Sequence, residues 1–282
     1  MARTRRNFHP DLVWHITHRC HKKEFLLKFQ LEKILWIRWM REAQCRFGLT
    51  VLNFMITSNH VHLMAMLGLR RRAAARALHT GAAEAAERTG STAGGDGPSP
   101  ISRAVQLVQS RVAQTYNLRK DRRGAFWEDR FHATAIETGA QFIRCLTYVD
   151  MNMVRAGVVS HPREWPFCGY GEMQHPDIRP RLHLVDTDAL VALTGARDVR
   201  SLTGIREEWI DAAIRKGRLV REPLWTESLA VGTSEGFLSR FQADLGSGLR
   251  HVEIAQDGDA LFLRRTRRLN DVFDGKNIEN GA

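Results

Sequence analysis

Apolar positions along the chain switch between two periods, and the switches mark out a succession of elements. Residues 12–17 (LVWHIT) form a short apolar run that predicts a buried strand. From Phe29 to Phe47 the spacing becomes helical, with Leu31, Ile34, Leu35, Trp39 and Ala43 on one face and Gly48 at the capping position. Residues 49–57 (LTVLNFMIT) and 60–67 (HVHLMAML) predict two strands joined by the turn-like Ser58-Asn59. A second helix is predicted over Ser102–Arg119, burying Val105, Leu107, Val108 and Val112. The stretch GAFWEDRFHATAIE (124–137) gives an aromatic cluster and then a strand over roughly 133–137. Ala140 to Ala156 predicts a third helix, stopped by Gly157.

The first six of these elements follow the βαββαβ order of a ferredoxin-like antiparallel sheet, so the predicted fold class is α+β. The third helix is an addition to that sheet. Strand signals end after Trp165-Pro166, and 186–195, 198–217 and 234–245 read as helices. The expected organisation is one domain over 1–175 and a C-terminal helical extension over 176–282 with a disordered tail. Residues 70–100 are rich in Ala, Gly and Arg and poor in large apolar side chains, which predicts a flexible insertion.

With 282 residues, 43% of them hydrophobic, the chain can build one core and a smaller appended unit. It has no apolar run long enough to cross a bilayer, and the basic start MARTRRNFHP lacks a secretory apolar stretch. A cytoplasmic, nucleoid-associated protein is therefore expected. Cys20, Cys45, Cys145 and Cys168 form no CxxC pair and read as reduced thiols. The net charge of +11 points to a polyanionic partner, nucleic acid first. Arg3, Arg5 and Arg6 lie on an N-terminal arm, and Arg111, Arg119, Lys120, Arg122 and Arg123 follow the second helix and its end. Both sets read as phosphate contacts or as ordinary solvated surface.

Two constellations carry candidate chemistry. In His60-Val61-His62, strand alternation sends both imidazoles to one side and Val61 into the core. The pair reads as a shared metal site, as histidines satisfied by local hydrogen bonds, or as proton-transfer bases. Tyr148 and Asn152 stand four apart on the third helix and share a face. A phenol can act as a nucleophile, and Asn152 offers a neutral oxygen ligand; packing is the ordinary reading of each. Two imidazoles and an amide would suit Mg²⁺ or Mn²⁺ acting as a Lewis acid on a phosphate. Arg155 reads as a phosphate contact or a helix cap. Trp127, Phe126 and Phe131 read as base-stacking groups or as core. Asn59 is placed to fix the turn before His60, His15 and His18 read as structural, and Tyr116 is a second candidate nucleophile.

The stretches LVWHITHR (12–19), NFMITSNHVHLMAML (53–67), GAFWEDRFHATAIE (124–137) and YVDMNMVRAGVV (148–159) resemble the single-tyrosine HUH transposases. Among these they look like the REP-associated tyrosine transposases of bacteria. WPFCGYGE (165–172) and LVREPLWTESLAVGTSEGF (219–237) extend the resemblance, which covers about residues 8 to 245. It implies that 1–175 is a catalytic domain with Tyr148 as nucleophile and His60, His62 and Asn152 as metal ligands. It implies single-stranded hairpin DNA of the REP palindrome type as substrate, a 5′-phosphotyrosine intermediate, and a monomer rather than a homodimer. The chain departs from the pattern at Met153, where the family has proline, and in the length of 70–100. The alternative function is a domesticated protein of the same fold that holds hairpin DNA without cutting it. A metal phosphodiesterase that uses water and needs no tyrosine is a third reading.

Overall fold

The computed structural model describes residues 8–68, 97–217, 219–245 and 252–266. Its centre consists of β1 (Val13–Arg19), α1 (Gln30–Phe47), β2 (Leu49–Ile56), β3 (His60–Leu67), α2 (Pro100–Arg119), β4 (His132–Ile136) and α3 (Ala140–Asp150). β1 pairs antiparallel with both β3 and β4, and β2 pairs antiparallel with β3. The resulting order, β2-β3-β1-β4, is that of the ferredoxin-like sheet. Local chemistry sets the boundaries. Gly48 takes a left-handed φ of 68°, its N–H donates to Gln44 O, and the chain enters β2 at the next residue. Ser99 accepts from Ser102 N and Pro100 occupies the first turn, so α2 starts two residues before its predicted position.

The sheet has a layer on each face. Trp14, Ile16, Val61, Leu63 and Ala65 meet α1 and α2, whereas Val13, Met64, Met66 and Ile136 meet α3 and the segments that follow it. The buried stripe of α1 is Trp36, Ile37, Met40, Ala43 and Gln44, so only Ala43 of the predicted face is fully covered. The stripe is rotated because Trp36 packs over Phe54 of the sheet, while Trp39 lies under the Arg111 guanidinium of α2. Leu31 is left 52% exposed.

After Met151 come α4 (Asn152–Arg155), α5 (Gly169–Gln174), α6 (Thr187–Thr194), α7 (Val199–Arg215), α8 (Leu224–Glu227), β5 (Ala230–Gly232), α9 (Glu235–Leu245), β6 (Val252–Asp257) and β7 (Ala260–Arg265). Helices α6, α7 and α9 fall where the periodicity places them. The expectation of a purely helical C-terminal extension is corrected: β5 pairs with β4, and β7 and β6 continue a seven-stranded sheet. An edge strand leaves a row of unpaired backbone groups, and β5 covers that edge of β4. The chain beyond residue 176 therefore completes the sheet built before it. The insertion predicted over 70–100 lies outside the described residues as far as 96, as does the tail beyond 266. Among the described residues no helix is long and apolar enough to cross a membrane.

α5 packs against an irregularity in β2, where the register shifts between Val51 and Asn53. A Cβ on Gly169 would overlap the Asn53 side-chain oxygen. Gly169→Ala is therefore expected to lower stability by about 1–3 kcal/mol, read from the urea midpoint. An unchanged midpoint would mean that β2 yields to the added methyl.

Candidate active site

The alternation of β3 turns His60 and His62 toward α3, on the side away from α1 and α2. His62 is buried, and the imidazole of His15 on β1 stacks on it at 5.1 Å between centroids and 8° between planes. α3 brings the Tyr148 ring to 6.1 Å from that of His62, and α4 brings Asn152 Nδ2 to 3.0 Å from His62 Nε2. His60 lies 5.0 Å from His62, centroid to centroid. The fold thus gathers His60, His62, Tyr148 and Asn152 in one place.

A relay of hydrogen bonds fixes the protons. His15 Nδ1 is 2.8 Å from Trp225 O, a carbonyl that only accepts, so this nitrogen carries the hydrogen. His15 Nε2 is then an acceptor and takes the hydrogen of His62 Nδ1 at 2.9 Å. His62 Nε2 consequently keeps its lone pair, directed at Asn152. In the same way His60 Nδ1 donates to Asn59 Oδ1 at 2.8 Å, which leaves the lone pair on His60 Nε2. Burial holds all three rings neutral. His15 is pushed down to about 4, His60 is pushed to about 4 by burial and by Arg19, Arg155 and Arg221, and His62 lies well below the ordinary imidazole value.

Tyr148 is 6% exposed, and burial raises its phenol above the ordinary value. The Arg155 guanidinium opposes that shift from 3.9 Å above the ring. Arg155 Nη1 donates to Tyr148 O, while its Nη2 is buried with no protein partner. Beside the tyrosine opens a cleft of about 570 Å³ lined by Thr147, Met151, Trp209, Lys216 and Glu222 among others. The turn between Tyr148 and Asn152 is held by Asp150, which accepts from Asn53 Nδ2 at 2.8 Å and from Arg206 Nη2 at 2.7 Å.

No protein-family model and no curated protein sequence matches this chain. Among solved structures it is similar to a REP-associated tyrosine transposase bound to a REP hairpin. That likeness has 16% identity and a TM-score of 0.43, over 65% of this chain and 88% of that one. It is also similar to a provisionally named transposase from Deinococcus radiodurans R1. Here the identity is 12% and the TM-score 0.30, over 56% of this chain and 98% of the other.

The remaining predicted residues are scattered. Arg111, on Trp39, and Arg119, paired with Glu32, belong to α2 on the other side of the sheet from Tyr148. Lys120 lies over Phe29, Arg122 meets Glu24, and Arg123 is exposed at the end of α2. Trp127 stacks on His18 and donates to Gln109 O, and Phe126 and Phe131 are buried in the same core. The base-stacking reading of the two phenylalanines is thereby corrected, because no face of either ring is open. Tyr116 packs edge-on against Phe126, in the core cluster opposite Tyr148. Arg3, Arg5 and Arg6 lie outside the described residues. The sequence reading missed the contact of His15 with His62, the nearby cations Arg19 and Arg221, and the Asp150–Arg206 tether. A cross-strand register links the first, and nothing in residue spacing reveals it.

Proposed function

We propose that this protein breaks and rejoins single-stranded hairpin DNA by transesterification through Tyr148. The observation that carries the reading is the meeting of the Tyr148 phenol, the aimed lone pair of His62 and the Asn152 amide on one face of the sheet. The motif resemblance given above supports the same substrate class. The Tyr148 oxygen forms a bond to phosphorus, the bond from phosphorus to the 3′ oxygen breaks, and the phenol proton ends on the departing 3′ hydroxyl. The product is a 5′-phosphotyrosine link, and attack by a 3′ hydroxyl reverses the step. Because ester energy is retained, rejoining needs no nucleotide. Arg155 lies over the Tyr148 ring, where its charge would offset the developing phenolate.

Among the described residues no group of three His, Cys, Asp or Glu side chains could hold a metal, so the donors here are two imidazoles and an amide. They fit Mg²⁺ or Mn²⁺ with open positions. His60, His62 and Asn152 would hold the ion, and the Asn152 side chain already meets His62 Nε2 through Nδ2 at 3.0 Å. The Asn152 amide would turn to present Oδ1. When bound, such an ion acts as a Lewis acid on the phosphate. His15→Ala removes the acceptor that orients His62, and a fall of about 10–100-fold in Mn²⁺ affinity is expected by calorimetric titration. Unchanged affinity would mean that His62 is oriented without His15.

The test is incubation of the full chain with labelled hairpins and Mn²⁺ or Mg²⁺. A denaturant-resistant adduct that chelation prevents is the expected result. Cleavage without adduct would replace this reading with a water-using phosphodiesterase, and tight binding without cleavage would replace it with a non-cleaving hairpin binder.

A further inference from the structure

Residues 20–29 link β1 to α1 and present an unusual surface. Phe25 is 66% exposed and Phe29 56%, and beside them Leu31 is 52% exposed. Exposed single apolar residues are ordinary, but two aromatic rings in one short segment are not needed for packing. Leu26 and Leu27 already anchor the segment in the core. Cations lie over one of the rings: the Lys28 and Lys120 ammonium groups are 6.0 and 5.6 Å from the Phe29 centroid. Lys22 and Lys23 stand in succession at left-handed φ values of 51° and 60°, a conformation that non-glycine residues rarely adopt. The acidic group of the segment is Glu24, which meets Arg122.

The strained backbone is fastened to the candidate active site. Asn59 donates from Nδ2 to Lys23 O at 3.1 Å and accepts the His60 hydrogen at Oδ1, and its carbonyl accepts from Cys20 N. Ser58 O accepts from Leu27 N. The residue that orients a candidate ligand therefore also holds the aromatic and basic segment in place.

We infer that Phe25 and Phe29, with Lys22, Lys23 and Lys28, form a stacking platform for unpaired bases of a DNA strand entering the site. The inference rests on the function proposed above and assigns the surface that grips the strand. Aromatic faces stack on any base and ammonium groups follow the phosphates, so the platform is tolerant of sequence. Charge selects this occupant: the chain carries a net +11, and the lysines flank the rings on the same segment.

The experiment measures equilibrium binding in EDTA, so that no cleavage intervenes. The probes are one fluorescent hairpin carrying a single-stranded tail and the same hairpin made blunt. Because both rings are exposed, Phe25→Ala and Phe29→Ala are expected to fold normally, checked by circular dichroism and melting. Each should weaken binding of the tailed hairpin about tenfold, with little change for the blunt one, and Phe29→Trp should retain wild-type affinity. Lys22→Ala with Lys23→Ala should lower the slope of log affinity against log salt by about 1–2. Equal losses on both probes, no loss on either, or a dimer that the Phe→Ala variants dissociate without loss of DNA affinity would overturn the inference. Tail-specific losses in a protein that forms no adduct would support the platform and remove the proposed reaction. Adduct formation with unchanged tail affinity in the variants would do the reverse.

Discussion

Tyr148→Phe is expected to abolish the covalent protein–DNA adduct, a fall of at least about 10³-fold, while leaving the fold intact. Arg155 meets this residue at its backbone carbonyl through Nη1, over its ring, and at its phenol. A phenylalanine keeps the first two. Melting temperature and hairpin affinity in EDTA should therefore match the wild type, and only chemistry should disappear. A simple packing role for Tyr148 predicts the opposite pattern, a small change in stability and none in adduct yield. The raised phenol pKa gives a further handle. Burial is the larger influence and Arg155 the opposing one, so Arg155→Gln should lower the rate of adduct formation most at neutral pH and less at alkaline pH.

Arg206→Ala is expected to destabilise the protein by about 3–5 kcal/mol, because it leaves a buried carboxylate without its cation. Asp150 and Arg206 are each about 1% exposed, and burial already raises the Asp150 carboxyl above its ordinary value. Denaturant unfolding would read the loss. The double substitution Asp150→Leu with Arg206→Met tests whether the pair does more than stabilise. Apolar replacement of both partners should recover most of the stability. It would still release the turn between Tyr148 and Asn152 from Asn53 and α7, so adduct formation should remain slow in a well-folded protein. A loss below about 1 kcal/mol in Arg206→Ala would contradict the tether.

The sequence was informative where a local rule decides the outcome. Gly48 and Gly157 stop their helices at left-handed φ values of 68° and 66°, as their positions suggest. The βαββαβ order follows from period switches alone. The shared face of Tyr148 and Asn152 survives although α3 ends at Asp150, because the break at Met151 is a single residue near helical geometry (φ −75°, ψ 1°). Long-range pairing was not legible. β5 is three residues long and carries no period, and it forms because β4 offers an edge. The β6–β7 hairpin did leave a sign, the two-residue turn Gly258-Asp259 between two short runs, but an extension read as helical hid it. Arg111 and Arg119 lie on the opposite side of the sheet from Tyr148, which the charge pattern could not reveal, because charge says nothing about which side of a sheet a helix covers. His15 meets His62 through strand register, and Asp150 meets Arg206 across 56 positions of chain.

The most direct test of the central claim is the mass of the tryptic peptide that carries the DNA remnant. The peptide Cys145–Arg155 contains one tyrosine. The prediction is a 5′-phosphoryl nucleotide on that peptide, at Tyr148. A remnant on the peptide containing Tyr116, or cleaved hairpin with no modified peptide at all, would contradict it.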